Sequence, residues 1–509
     1  MQSNSRNSRL ADSNDMTDIK LYKQNELYIG IETSPSIWYE LRDVFRFRPD
    51  GYKYTPKFKY GTWDGYISLI DIRNRRIPQG LIPELMQWAK KCGYSVEFDK
   101  DSGQLIRKFD CSAYLDNWAE YVRFEPYDYQ LEAVENMLKL NKCLCLSPTS
   151  SGKSLIIQIL IKYILDNTNY RILITVPTTQ LVEQLAADFY DYAPDKTKAI
   201  IPHKVYGGKE KYSDNRVVIS TWQSMLKMPK EYFTQFDVYI CDEAHQADGK
   251  SISGIINKLE DTSVIRVGLT GTLDGTKCHL MQMKALFGPV IKTLSTKELM
   301  ERGNITQMDI SVEILKYIDK PRIGSDYHAE IDYIVEDQNR LDYVSERALN
   351  LPNNTLVLFN FVDKHGKPLY TNTIERNNGR KEIYYLSGET PIEEREEIRQ
   401  KFATQDNIVL FASFGTFSTG INAPNIHNLI LAHPGKARIR TLQSIGRALR
   451  KMKNKNKALV IDIADDLKPG NKKKNHSYNH LLKRLEIYES EKFDYTVRTV
   501  EIGDGRVCE

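Results

Sequence analysis

The strongest constraint in this sequence is an alternation that begins at Phe124. Short apolar runs alternate with longer amphipathic stretches: CLCLS, RILITV, RVVIST, VYICD and IRVGLT, then NTLVLFN, EIYYLS, NIVLFAS, NLILAH and ALVIDI. The runs are short, rich in Val and Ile and almost continuous in apolarity. Strands with one wet face alternate polar and apolar residues; these do not, so they read as strands buried on both faces of a parallel sheet. The pattern predicts an α/β protein with two parallel-sheet units in tandem. The seam between them is expected near 303–320.

Upstream, from Leu21 to Asp116, the texture is different. LYIGIET and GYISLIDI read as strands, and LIPELMQWAKKCG reads as a helix closed by a glycine cap, giving a small α+β unit. After Lys468 come a basic turn, KPGNKKKN, one helix, HLLKRLEIYESEKF, and a β-prone tail. The expected organisation is an N-terminal extension (1–18), an N-terminal domain (19–116), two sheet units (117–305 and 306–470) and a basic loop with helix and tail (471–509).

Composition sets the outer limits. Of 509 residues, 41% are hydrophobic, too many for a disordered chain. No run approaches the ~20 apolar residues that span a bilayer. The first residues, MQSNSRNSRLADSNDM, are polar and lack the apolar core of a secretory signal, so they are expected to be a disordered lead-in. Seven scattered cysteines imply a reducing, cytoplasmic setting. Cys143 and Cys145 stand one residue apart in an apolar run, which suits buried strand positions better than zinc ligands. A net charge of +4 is a weak hint of an anionic partner.

Chemistry concentrates at a few places. Ser147-Pro148-Thr149-Ser150-Ser151-Gly152-Lys153-Ser154 follows the strand CLCL and precedes an apolar helix. A turn at that junction directs backbone N–H groups and a helix dipole at phosphate. Lys153 can reach the β- and γ-phosphates, and Ser154 can hold Mg2+. Ser147 and Ser151 stand at positions where the strict consensus is not met. Asp242-Glu243-Ala244-His245 ends the strand-like run VYIC. There Asp242 would hold the metal through its water shell, and Glu243 would polarise the attacking water. Arg447 and Arg450 lie three apart in QSIGRALR and share one helix face, where they could serve as arginine fingers or simply as a solvated basic helix.

Together these pieces resemble superfamily 2 helicases, in the order that family shows, from Phe124 to Asp462. The resemblance implies an ATP- and Mg2+-dependent enzyme of two RecA-like domains. It assigns Tyr127 and Gln130 of YDYQ to adenine and the loop Pro148 to Ser154 to phosphate. It places Pro177, Thr178, Thr179, Thr221, Gln223, Asn360, Ser387, Gly388 and Ser413 on nucleic acid, and His245, Thr270 and Thr272 between the two sites. Gly420, Asn422, Gln443, Arg447 and Arg450 would reach the nucleotide from the second domain.

The N-terminal stretch DGYKYTPKFKYGTWDG, with VPTT, STWQS, GKSIS, SGET, FSTGI and EKFDYTV, resembles the UvsW-type helicases of T-even-type bacteriophages nearly end to end. That implies a motor on branched or single-stranded DNA and on RNA–DNA hybrids. It would regress forks, migrate Holliday junctions, unwind R-loops and D-loops and anneal strands. It also implies a monomer in the cytoplasm of a phage-infected cell, beside single-strand-binding and recombination proteins, with no membrane role.

Two zones could hold the nucleic acid. Between Phe45 and Tyr66 aromatics interleave with Arg and Lys, including Lys57, Lys59 and a turn carrying Trp63. In a strand this sends bases and rings to opposite faces, which reads equally as a DNA-binding face or as an ordinary sheet with an aromatic core. The second zone runs from Lys436 to Lys457 without an acidic residue and is followed by Lys472, Lys473 and Lys474. Such runs are often plain solvated surface.

Overall fold

The computed structural model describes residues 17–49, 51–99, 106–246, 249–273, 276–318, 326–418, 425–433, 435, 457–468, 474–503 and 506–508. Gly420, Asn422, Gln443, Arg447, Arg450, Lys472 and Lys473 lie outside these residues, as do the first 16 positions and most of the basic zone that starts at Lys436.

The protein is α/β, with two parallel sheets and a small mixed N-terminal sheet. The first large sheet has seven strands, all parallel, in the order Val290–Lys292, Lys142–Leu146, Ile265–Thr270, Val238–Cys241, Ile172–Val176, Val217–Thr221 and His203–Val205. Its central strands are buried at nearly every residue, as continuous apolarity demands. Cys143 and Cys145 are among those buried positions. The helix Lys153–Asn167 buries nine residues around its circumference, which explains why it reads as apolar on all sides.

The second sheet runs Glu382–Leu386, Ile408–Ser413, Thr355–Phe359, Asn428–Leu431, Lys457–Asp466, Gln307–Tyr317 and Tyr495–Gly503, again all parallel, with Arg506–Cys508 added antiparallel at the edge. Two findings depart from expectation. The segment read as a seam contributes the 11-residue strand Gln307–Tyr317, which lies inside the sheet between Lys457–Asp466 and Tyr495–Gly503. The tail beyond 471 likewise completes this sheet. Charge inside the strand obscures it in sequence: Glu313 is fully buried, held by Arg347, Arg498 and the Tyr343 hydroxyl. Beneath the same sheet the Arg340 guanidinium donates to Asp465 at 2.7 Å with both side chains fully buried, and the Tyr317 hydroxyl donates to the same carboxylate at 3.0 Å.

In the N-terminal unit four strands pair in the order Arg76–Pro78, Tyr28–Thr33, Ile19–Lys23 and Val96–Phe98. The helix Ile82–Cys92 carries Pro83 in its first turn, buries Leu85 and Ala89 one turn apart, and ends at Gly93 with φ +78°. The 45–66 segment is not the strand its alternation suggested. Only Arg46–Phe47 is extended; a 3-10 turn at Tyr52–Tyr54 and a short helix at Pro56–Lys59 follow. Pro49, Gly51, Pro56 and Gly61 break the chain too often for a ladder to form. Phe45 is buried in the core, while Arg46 and Arg48 lie over the rings of Tyr66 and Tyr52, so bases and those rings meet instead of splitting across two faces.

Candidate active site and nucleic-acid interface

The phosphate loop leaves the strand Lys142–Leu146 at its C-terminal end and enters the helix Lys153–Asn167. Its bend uses two left-handed residues, Ser150 (φ +69°) and Gly152 (φ +80°). Small side chains brace it internally. The Ser147 and Ser151 hydroxyls lie 2.6 Å apart, and Ser151 Oγ donates to the Pro148 carbonyl at 2.7 Å. Serine at these two positions thus replaces glycine flexibility with hydrogen bonds. Gln130 spans the gap to the preceding helix: its Nε2 donates to the Ser151 carbonyl at 2.8 Å, and its Oε1 accepts from the Tyr127 N–H at 2.9 Å. A Cβ on Gly152 would overlap that Gln130 amide. Tyr127 stacks on Tyr129 at 5.6 Å and leaves a half-exposed ring at the edge of the loop.

Asp242 and Glu243 stand at the end of Val238–Cys241, two strands away from the loop in the sheet order. Glu243 takes φ +52°, which brings its carboxylate 3.4 Å from Lys153 Nζ and 3.5 Å from His245 Nδ1. Burial, then the neighbouring Glu243, pushes the Asp242 carboxyl up to about 7 against the pull of Lys153. Two adjacent carboxylates facing one ammonium suit a divalent cation, and oxygen donors are what Mg2+ selects. Burial pushes His245 down to about 4, so its ring is neutral at physiological pH. It meets the Thr270 hydroxyl at 2.6 Å, and Thr270 donates to the Thr272 carbonyl at 2.8 Å. Gly271 completes the ring of contacts. A Cβ built on it would sit 3.4 Å from the Thr149 N–H nitrogen and 3.5 Å from Lys153 Nζ. Thus Lys153, Asp242, Glu243, His245, Thr270 and Thr272 converge at one edge of the first sheet.

The residues expected on nucleic acid also gather at strand ends. Pro177, Thr178 and Thr179 follow Ile172–Val176, while Thr221 and Gln223 close the adjacent strand. Thr178 caps the helix Thr179–Tyr192, and Gln223 Nε2 reaches the Pro177 carbonyl at 3.5 Å. In the second unit Asn360 follows Thr355–Phe359, Ser413 ends the neighbouring strand, and Ser387 with Gly388 follows the next. Three of these side chains turn inward: Ser413 Oγ accepts from the Thr416 N–H at 3.1 Å, Thr221 Oγ1 meets Ser224 Oγ at 2.9 Å, and the buried Ser387 Oγ accepts from the Glu389 N–H at 3.2 Å. Thr179, Gln223 and Gly388 are exposed.

On the N-terminal unit Arg46 and Arg48 each lie 4.3 Å from the Tyr66 ring centre, and Arg48 also donates to the Tyr52 hydroxyl. Lys57, Lys59, Tyr54 and Tyr60 are exposed around them, the two tyrosines by about 80%. Trp63 is half-buried, its Nε1–H donating to the Tyr66 carbonyl at 2.7 Å. It braces the turn and leaves the rings of Tyr54 and Tyr60 as the exposed ones. Both belong to the aromatic series read from the sequence, which singles out Trp63 as the ring to present; Tyr129, whose hydroxyl donates to the Ser151 carbonyl at 2.9 Å, is not singled out there. Nor is Thr293, whose hydroxyl reaches Ser147 Oγ at 3.1 Å from an edge strand of only three residues.

Comparison with known proteins agrees with this layout. Family models match in three places: DNA helicase UvsW, N-terminal, over residues 18–99; the res subunit of type III restriction enzymes over 123–275; and the helicase conserved C-terminal domain over 340–452. The ATP-dependent DNA helicase uvsW of Enterobacteria phage T4 is 38% identical over 510 residues, covering 95% of this chain and all of that protein. A crystal structure of T4 UvsW is similar over 95% of this chain and all of its own, with a TM-score of 0.50 and 34% identity. A fragment of a putative HsdR subunit of a type I restriction enzyme from Vibrio vulnificus YJ016 shares the fold at TM-score 0.58 and 17% identity, over 86% of each chain. Among the described residues no helix is long and apolar enough to cross a membrane.

Proposed function

This chain belongs to the UvsW family of DNA helicases, and on that premise we propose that it is an ATP-driven motor that remodels branched DNA. The observation that carries the reading is the convergence on Lys153: Glu243 lies 3.4 Å from its ammonium, and a Cβ on Gly271 would meet both it and Thr149 at van der Waals distance. One short set of contacts therefore joins the phosphate loop, the acidic pair and the Thr270–Thr272 turn.

Tyr127 offers a ring to adenine, and Gln130 holds the loop in register beneath it. Lys153 draws γ-phosphate charge, while Glu243 takes up the proton of the attacking water. Ser154 and Asp242 would hold Mg2+, which would supply neutralisation of phosphate charge. Arg447 and Arg450, with Gln443, Gly420 and Asn422, are proposed to close on the nucleotide from the second unit. Thr178, Thr179, Gln223, Asn360 and Gly388 bind the DNA backbone across the strand ends, and Thr221, Ser387 and Ser413 shape the loops that carry them. Lys57, Lys59 and the arginine–tyrosine cluster of the N-terminal unit favour junctions through phosphate charge and ring stacking. The substrates proposed are stalled forks, Holliday junctions, D-loops and R-loops, with strand annealing as a further outcome. The setting is the cytoplasm of a phage-infected cell, with a monomer beside single-strand-binding and recombination proteins.

The test is steady-state ATPase with linear duplex, single-stranded DNA, a four-way junction and single-stranded RNA at equal nucleotide concentration. Strongest stimulation by the junction or by single-stranded DNA supports the reading. Stimulation by RNA alone overturns it.

A further inference from the structure

The N-terminal unit and the first sheet unit share more than a linker. Buried Lys142 donates to Glu26 at 2.8 Å and to Gln79 at 2.7 Å, and Leu27 packs in the core of the sheet unit. The most instructive contact is the helix Lys277–Phe287, which begins five residues after Thr272. It divides its side chains between two cores. Met283 and Phe287 pack with Tyr239, Cys241 and Ala244 of the sheet unit. Met281 and Ala285 pack with Trp38, Leu81 and Leu85 of the N-terminal unit.

Contacts with the N-terminal unit run the length of the helix. At its start Lys277 Nζ lies 5.5 Å from the ring centre of Phe47, the residue between Arg46 and Arg48. Near its end Lys284 pairs with Glu84, and the backbone of Gly80 approaches so closely that a Cβ there would overlap the Lys284 carbonyl oxygen. Leu273, the residue after the Thr270–Thr272 turn, packs against the same core as Met283 and Phe287 of this helix. One element thus reaches the arginine–tyrosine surface and shares a core with Leu273, next to the turn that lies beside Lys153.

We infer that Phe47, Glu84 and Lys284 are positioning residues that use the helix Lys277–Phe287 as a strut, through which DNA held on the N-terminal surface sets the placement of Thr270–Thr272 against the phosphate loop. The physical basis is stiffness. A helix packed into two cores passes a displacement at one end to the other because packed interfaces resist gradual deformation. The inference rests on the proposed reading of the N-terminal surface as a DNA-binding one.

The test uses the full chain and four variants: Phe47→Ala, Glu84→Gln, Lys284→Gln, and the charge exchange Glu84→Lys with Lys284→Glu. DNA-free ATPase, junction affinity without nucleotide, and kcat and KM for junction-stimulated ATPase are measured for each. The expected result is a DNA-free rate and a junction Kd within about twofold of wild type for Glu84→Gln and Lys284→Gln, with stimulated kcat reduced by about fivefold or more. The charge exchange restores at least half of the lost kcat. Undiminished stimulated kcat in Phe47→Ala, Glu84→Gln and Lys284→Gln overturns the strut alone. A parallel loss of DNA-free ATPase also overturns it, because it marks plain structural support. Absence of junction stimulation in the wild type overturns the functional reading and the strut together.

Discussion

Replacing Gly152 by alanine tests the phosphate loop at its most constrained point. Gly152 adopts φ +80°, ψ +39°, where an L-residue costs about 1–2 kcal/mol. The new methyl would also overlap the Gln130 amide, whose Nε2–H bonds the Ser151 carbonyl. Gln130 is 3% exposed, so displacing it forfeits a buried hydrogen bond at about 1–3 kcal/mol. The combined cost of about 2–5 kcal/mol falls on the ATP-binding conformation of the loop; at 1.4 kcal/mol per decade, KM for ATP should rise at least about 30-fold. ATPase titrations at saturating DNA and direct binding of a fluorescent nucleotide read this out, with a melting curve to show that the fold persists. The clash also predicts coupling. Adding Gln130→Ala to Gly152→Ala should cost less than the sum of the single changes by about 1 kcal/mol, since the overlap is then gone. A KM within twofold of wild type, or strict additivity, would refute the assignment of this loop and its bracing by Gln130.

Three further expectations follow from the site and its support. Glu243→Gln should bind ATP normally yet lose at least about a hundredfold in turnover, the usual range for a missing general base; near-wild-type hydrolysis would remove Glu243 from that role. Asp242 takes up a proton at about 7, so protons and Mg2+ compete for it. The Mg2+ concentration needed for half-maximal ATPase should therefore rise by up to about tenfold for each pH unit of fall below pH 7 and level off above it; a flat profile between pH 5.5 and 7 contradicts the raised value. Asp465→Asn leaves the Arg340 guanidinium buried with its charge partner gone, which should destabilise the second unit by about 3–5 kcal/mol. Urea unfolding followed by tryptophan-free probes of that unit, such as a site-specific label, measures this, and a loss below 1 kcal/mol would mean that water reaches the pair.

The ten apolar runs of the two sheet units all form strands, because burial on both faces leaves a signal that no local competitor disturbs. Signals failed where chemistry mixed with pattern. Glu313 and Asp309 disguise Gln307–Tyr317 as a linker, although the buried charge is neutralised by arginines far away in sequence. Between Phe45 and Tyr66 the alternation is real but is cut by Pro49, Gly51 and Pro56, so local backbone limits win over periodicity. At the site, Lys153, Asp242 and Glu243 are legible because strand ends and a glycine-lysine turn place them. The role of Gly271 against Lys153 and that of Tyr129 against Ser151 depend on tertiary closeness that no spacing reveals.

The position of Gln307–Tyr317 also has a consequence for biosynthesis. Its neighbours in the sheet come late in the chain: Glu313 finds Arg498 185 residues further on. At ~5–20 residues per second a ribosome needs about 10–40 s to deliver that partner. The first sheet unit can close while translation continues, since its strands are consecutive in the chain from Lys142 to Lys292. The second cannot, and Gln307–Tyr317 waits with Ile310, Val312 and Leu315 uncovered. Asp309, Glu313 and Lys316 then act as gatekeepers against stray edge pairing of the nascent chain, a second duty for charges that the finished sheet uses as ion pairs and solvent contacts.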